Sequence, residues 1–278
     1  MLESYFHYRT DLAKAHCLLQ CPETCDAPGC WSSDIIVEVT AFDLIGLSQV
    51  LDMPVSSLFF NYCCVGIQGL EFNPRYKRLL LKLAKPCHFL HKTSCTVHDS
   101  KPLNCVLFPE YHQINNLLST FTKHSIFSKV PCLQGDIIIS SERRVALKKL
   151  RRIGRIEKAV SCYFLFGSPS FIIDSKPLHR ELIKDHPKKR SISAREYERL
   201  VIKKLKGIGL YNLIMDSVVE LDTHRGIESI FNTLDQDDFV TSLLEQVIKP
   251  ETIYTFKEDR IKQLRRKLGP QAVTLMLF

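Results

Sequence analysis

The sequence predicts a mainly α fold that consists of a small, irregular, cysteine-rich core and a C-terminal helical bundle. Two observations lead to this prediction. Cysteines and turn-forming residues are concentrated in the first half of the chain, and apolar residues recur at helical spacing in the second half. A chain of 278 residues can bury one or two hydrophobic cores. We therefore expect two domains, formed by residues 1–140 and by residues 141–278.

The cysteines are concentrated in two segments. Seven of the eleven lie in the run CLLQCPETCDAPGC, which begins at Cys17, and in PCHFLHKTSCTVHDSKPLNCVLFP, which begins at Pro86. The N-terminus has no basic stretch followed by an apolar run, and no long uninterrupted apolar window occurs, so we expect a cytoplasmic protein without a membrane span. In that reducing compartment, closely spaced thiols are more often metal ligands than disulfide partners.

Eight cysteines form the predicted ligand set. The first run has spacings of three, three and four residues, and its Pro22, Pro28 and Gly29 favour turns. The later cysteines are separated by seven and nine residues, farther apart than the ligand pairs of a zinc finger, so they must converge through tertiary folding. Pro102 and Pro109 predict a non-helical segment between them. With one further cysteine in VPCLQGD, the predicted metal ligands are Cys17, Cys21, Cys25, Cys30, Cys87, Cys95, Cys105 and Cys132.

Other residues near these segments have different expected roles. Cys63, Cys64 and Cys162 stand in apolar stretches and are predicted to be core residues. Four histidines lie within four residues of a cysteine and widen the ligand pool, because imidazole also binds zinc and iron: His16, His88, His91 and His98.

Two helices are predicted between the cysteine segments. Thr40 and Asp43 have the spacing of a capping box, and the leucines that follow them fall on one helical face. Pro54 suits the first turn of a second helix. The stretch from Arg75 to Ala84 is ambiguous between strand and helix.

The sequence of the second half predicts mostly helices. Arg143–Lys158 reads as a basic helix, and Ser193 with Glu196 forms a second capping box that opens a helix through Lys206. Further helices are expected at residues 210–221, 235–248 and 256–268, and residues 171–173 are either a strand or a buried turn. The inner face of the basic helix is predicted to comprise Val145, Leu147, Leu150, Ile153 and Ile156.

The first half resembles the YkgJ-like cysteine-cluster family, whose members are described as zinc- or iron-chelating domains. Cys21, Cys25 and Cys30 approximate the opening cluster of that family, and VTAFDLIGLSQVL approximates its helix. The sequences PCHFL, CTVH and KPLNCVLFP resemble its later steps, and Cys132 stands at its late position. In this chain Trp31 follows Cys30 where the family has a second cysteine, and Cys17 offers a substitute thiol. The resemblance implies a metal-binding protein.

The predicted function is therefore metal binding with a structural or redox role. Eight thiols can form two four-coordinate zinc sites, or they can hold one iron-sulfur cluster, such as a 4Fe-4S cluster, with the remaining thiols left over. One alternative is a protein-modifying enzyme that resembles flagellin lysine N-methylase. Another is a module that binds nucleic acid or an acidic partner through residues 141–206, which contain 19 Lys/Arg and 7 Asp/Glu. No catalytic residue is predicted.

Overall fold

The fold is mainly α with a mixed sheet, in agreement with the predicted class. The computed structural model describes residues 2–17, 26–33, 35–70, 73–108, 110, 130, 139–185, 192–248, 252–257 and 260–265. The chain divides into two compact units. The first unit comprises Met1–Cys64 and Lys82–Arg155, and the second comprises Val65–Leu81 and Ile156–Phe278.

The first unit is built from short elements. They are helices α1 (Leu2–Lys14), α2 (Pro28–Trp31), α3 (Ala41–Leu51), α4 (Val55–Tyr62) and α5 (Leu103–Leu107), strands β1 (Glu38–Val39), β4 (Leu90–His91) and β5 (Ser94–Cys95), and a 3-10 turn at His98–Ser100. Strand β2 (Cys63–Leu70) begins here, strand β3 (Asn73–Leu83) ends here, and helix α6 (Ser141–Phe166) begins here.

The capping box at the start of α3 is confirmed. The Thr40 side chain accepts a hydrogen bond from the Asp43 amide, and the Asp43 side chain accepts one from the Thr40 amide. Pro54 immediately precedes α4, a position where the absence of a backbone N–H group costs no helical hydrogen bond. The α3 core is fully buried, with Phe42, Leu44 and Leu47 at 0% exposure.

The predicted basic helix is confirmed by α6, but the predicted inner face is wrong at one residue. Leu147 and Leu150 are fully buried and pack with Leu103 of α5. Val145, in contrast, is 53% exposed. Val145 and Leu147 are two positions apart, which corresponds to roughly 200° around a helix of 3.6 residues per turn, so the two side chains cannot both face the same core.

The second unit combines a sheet with helices. Strand β3 pairs with β2 and with β6 (Ile172–Asp174), β6 pairs in parallel with β7 (Thr252–Lys257), and β7 pairs antiparallel with β8 (Arg260–Arg265). The ambiguous stretch from Arg75 is thus a strand. The helices that lie wholly among the described residues of this unit are α7 (Lys176–Asp185), α8 (Ala194–Gly207), α9 (Leu210–Glu220), α10 (His224–Leu234) and α11 (Asp237–Ile248).

The predicted helix at residues 256–268 is wrong for the described part of that stretch, which forms the end of β7 and strand β8. Thr252, Ile253, Tyr254 and Phe256 are residue types that favour strands. Ile253 and Phe256 are buried, and the Tyr254 ring stacks on Phe171 with 4.0 Å between ring centroids. Pairing with β6 is a tertiary interaction that the local sequence pattern does not reveal.

Candidate metal centre

Two of the predicted ligands lie on segments that are joined by a backbone hydrogen bond. Cys30 is in α2, a four-residue helix that follows Ala27 in the left-handed conformation. The amide of Cys87 donates to the carbonyl oxygen of Cys30 at 2.8 Å. Residues far apart in the sequence are therefore brought side by side, as convergence of the two cysteine segments requires.

Lys85 lies at this junction. Its ammonium group donates to the carbonyl oxygen of Gly29, the residue before Cys30. Burial lowers the pKa of Lys85, and negative charge on Cys105, Cys30 and Cys87 acts in the opposite direction. A half-buried lysine thus lies within electrostatic range of three predicted ligands. Sequence reasoning missed this residue, although its position two residues before Cys87 was a usable signal.

Cys105 belongs to the same neighbourhood. Burial raises the pKa of the Cys105 thiol to about 12, and negative charge on Cys30 and Cys87 also raises it, whereas Lys85 and Lys101 lower it. Without a metal, this thiol is therefore neutral at pH 7. A bound cation would favour its thiolate, because metal coordination displaces the thiol proton.

Cys105 lies in a helix, so the prediction of a non-helical segment is wrong. Helix α5 begins after Pro102, which stands at the capping position where its lack of an N–H group is tolerated. The amide of Leu103 donates to Asp43 at 2.9 Å. The side chain of Leu103 packs closely on α6, since a Cβ atom at Gly154 would lie 2.9 Å from it.

Cys95 lies on the short hairpin of β4 and β5, opposite Leu90. Burial raises the pKa of Cys95 and the charge of Cys87 also raises it, while a backbone hydrogen bond at Val97 and the charge of Lys101 lower it. Cys95 is therefore near Cys87.

Cys17 has different surroundings. It is exposed, and its thiol donates to Glu110 over 3.8 Å. Glu110 in turn accepts three hydrogen bonds from the guanidinium of Arg143, at 2.5 to 3.1 Å. Arg143 also donates to the carbonyl oxygens of Ala13 and Ala15, at 2.8 and 3.0 Å, so it holds the end of α1.

Two of the three cysteines predicted to be core residues are buried. Cys63 and Cys162 are buried, and Cys64 is half-buried. Burial raises the pKa of Cys63 well above its usual range, and charge on Cys64, Asp43 and Cys87 adds to this effect. Cys63 thus lies near Cys87, which its apolar sequence context did not indicate.

Of the four histidines in the predicted ligand pool, His88 and His98 have described contacts with other side chains. The His88 ring lies 5.4 Å from the Tyr62 ring. The Nδ1 atom of His98 lies 3.7 Å from Asp99, and its Nε2 atom lies 3.4 Å from the ammonium of Lys101.

The structure thus places Cys30, Cys87 and Cys105 in one electrostatic neighbourhood, with Cys95 near Cys87. Cys21, Cys25 and Cys132 lie outside the described residues. Within the described ranges, no group of three or more histidine, cysteine, aspartate or glutamate side chains is arranged to hold a metal ion.

Comparison with protein-family models, with curated proteins and with solved structures returns no match. Among the described residues, no helix has the length and apolar character needed to cross a membrane.

Proposed function

We propose that the first unit is a cysteine-cluster module that binds zinc or an iron-sulfur cluster, with a structural or redox role. The observation that supports this proposal best is the shared neighbourhood of Cys30, Cys87 and Cys105 around Lys85. These three cysteines come from two separate sequence segments, and thiolate sulfur is a preferred ligand of both zinc and iron-sulfur clusters.

The proposed ligands are these three thiols together with others of the predicted set. Cys95 is a candidate because it lies near Cys87. Cys21 and Cys25, which precede Cys30 by nine and five residues, and Cys132 are candidates from the sequence. The resemblance to the YkgJ-like family supports the same set.

The architecture around the cysteines supports a structural contribution by the metal. Helix α2 has four residues, α5 has five, and β4 and β5 have two each. Elements this short bury little apolar surface. A thiolate zinc site contributes an apparent ~10–16 kcal/mol at neutral pH, whereas a whole domain is stable by only about 5–15 kcal/mol. The segments that carry the thiols are therefore expected to depend on the metal for their fold.

Lys85 and Lys101 would partly balance the negative charge of bound thiolates. Both lysines lower the pKa of Cys105, which means that they favour its charged form. Groups beside a metal centre adjust its charge and its ligands in this way.

Anaerobic purification followed by elemental analysis and an absorbance spectrum tests the proposal. A colourless protein with stoichiometric zinc would support a structural site, and a brown protein that contains iron and sulfide would support a cluster. A protein that is purified without metal, and whose melting temperature is unchanged by added zinc or by cluster reconstitution, would contradict the proposal.

A further inference from the structure

Helix α6 presents a basic face in the first unit. Arg144, Lys148, Lys149 and Arg152 are all exposed, while Leu147 and Leu150 between them are fully buried. We call the four exposed cations the basic face. The sequence contains no acidic residue between Arg143 and Ile156, so α6 itself offers these side chains no opposite charge in that stretch.

The charge of the basic face is not neutralised by described neighbours. Among the residues that the structure describes, no carboxylate forms an ion pair with Lys148, Lys149 or Arg152. Arg144 donates to the carbonyl oxygen of Ile139 at 3.4 Å, a contact that leaves its charge uncompensated. The basic face is therefore available to an anionic partner.

We propose that the basic face binds the phosphate backbone of a nucleic acid. Arg144, Lys148 and Arg152 follow each other at intervals of four residues. Cations at this interval repeat every ~6 Å along a helix. A nucleic-acid strand presents a regular row of phosphates, and lysine and arginine side chains bind such rows without base contacts.

The composition of the surface favours nucleic acid over other anionic partners. A helix that lies on a membrane inserts an apolar face into the lipid, but the leucines of α6 are packed inside the unit. Protein interfaces usually have an apolar core with aromatic or aliphatic anchors. Val145 is the only large exposed apolar residue of α6 in the first unit. Binding through phosphate contacts requires no such anchor.

Nucleic-acid binding by the basic face does not require the proposed metal site, and its strength should depend on salt in a predictable way. When a protein contacts three or four phosphates, the slope of the logarithm of the binding constant against the logarithm of the salt concentration is about −3 for a duplex and about −2.5 for a single strand. We expect little sequence preference, because phosphate contacts carry no sequence information directly.

The experiment is fluorescence anisotropy with the full chain, purified with its native metal content. The probes are a fluorescein-labelled 20-nucleotide single strand and a duplex of the same mixed sequence, titrated at several NaCl concentrations. The test variant is Lys148→Gln/Arg152→Gln. The matched control is Lys184→Gln/Lys203→Gln, which removes the same charge from exposed positions in the second unit.

We expect the test variant to bind at least tenfold more weakly at low salt. Its salt slope should be shallower by about 2, because two phosphate contacts are removed. The control should stay within twofold of the parent protein. A second test variant, Arg144→Gln/Lys149→Gln, should repeat the loss, and far-UV circular dichroism of each variant should match the parent spectrum.

Three results would overturn the proposal. The first is failure of the parent protein to bind either probe at low salt. The second is an equal loss in the test and control variants, which would show that diffuse charge is responsible. The third is displacement of the probe by polyglutamate at lower charge concentration than by unlabelled oligonucleotide, which would indicate an acidic protein partner.

Discussion

The amide of Leu103 donates a hydrogen bond to the Oδ1 atom of Asp43 at 2.9 Å, and this contact joins the start of α5 to the start of α3. The other oxygen of Asp43 accepts from the amide and the hydroxyl of Thr40, at 2.9 and 3.0 Å. Arg9 forms an ion pair with the same carboxylate. One buried side chain thus caps a helix and holds the segment that carries Cys105.

We expect Asp43→Asn to lower the free energy of unfolding by about 3 kcal/mol, because it removes the negative charge that forms a buried ion pair with the guanidinium of Arg9. Unfolding of the parent protein and of the Asp43→Asn variant in guanidinium chloride measures the change. Asp52→Asn is the control. Asp52 ends α3 in the left-handed conformation, which asparagine tolerates, so we expect a change within about 0.5 kcal/mol. Equal effects of the two substitutions would contradict the role assigned to Asp43.

Arg143→Met is expected to destabilise the protein by about 3–5 kcal/mol, because the buried carboxylate of Glu110 would lose its cationic partner and two carbonyl oxygens of the α1 terminus would lose their donor. Denaturant unfolding measures the change. The neighbouring substitution Arg144→Met affects an exposed side chain and should alter stability by no more than about 0.5 kcal/mol. A similar loss in both variants would mean that the buried pair has no special role.

Local signals in the sequence predicted helices α3, α4, α6, α8, α9 and α11, whereas α7 was not predicted and the segment that forms α5 was expected to be non-helical. The capping boxes at Thr40 and Ser193 both occur, because each depends only on residues three positions apart. Helix α10 was missed, although Thr223 caps it and Ile227, Ile230 and Phe231 follow at helical spacing. Of the strands at residues 252–265, β7 pairs with β6, which lies far away in the sequence, whereas β8 pairs with the adjacent β7. Only the pairing of β6 with β7 was thus beyond the reach of local sequence signals.

The candidate site shows the same division between local and tertiary information. Cysteine spacing indicated which residues are candidate ligands, but it could not show which of them lie close together in the fold. In the structure Cys63, taken from the sequence as a core residue, lies in the electrostatic range of Cys87. The described polar contact of the Cys17 thiol is with Glu110. Among the described residues, the packing of α5 and the junction at Lys85 bring Cys30, Cys87 and Cys105 into one neighbourhood, which cysteine spacing alone does not indicate.

Replacement of Cys30, Cys87 or Cys105 by serine is expected to reduce the bound metal to less than half of the parent content and to lower the melting temperature. Each substitution removes one of the proposed sulfur ligands. Elemental analysis and thermal unfolding measure the two effects. Cys162→Ala changes a buried thiol of the second unit and should retain the parent metal content. Full metal content in all three serine variants would rule these residues out as ligands.

Iodoacetamide labelling distinguishes Cys17 from the clustered thiols. Cys17 is exposed, so it should react at a similar rate, within about twofold, in the zinc-loaded protein and after zinc removal by a chelator. Cys30, Cys87 and Cys105 should react at least tenfold faster after chelation, because the metal no longer occupies their sulfur atoms and because loosening of the surrounding short elements removes the burial that keeps Cys105 neutral. Peptide mass spectrometry quantifies each site. Protection of Cys17 by zinc would place it among the ligands, whereas unchanged labelling of the other three would show that zinc does not bind there.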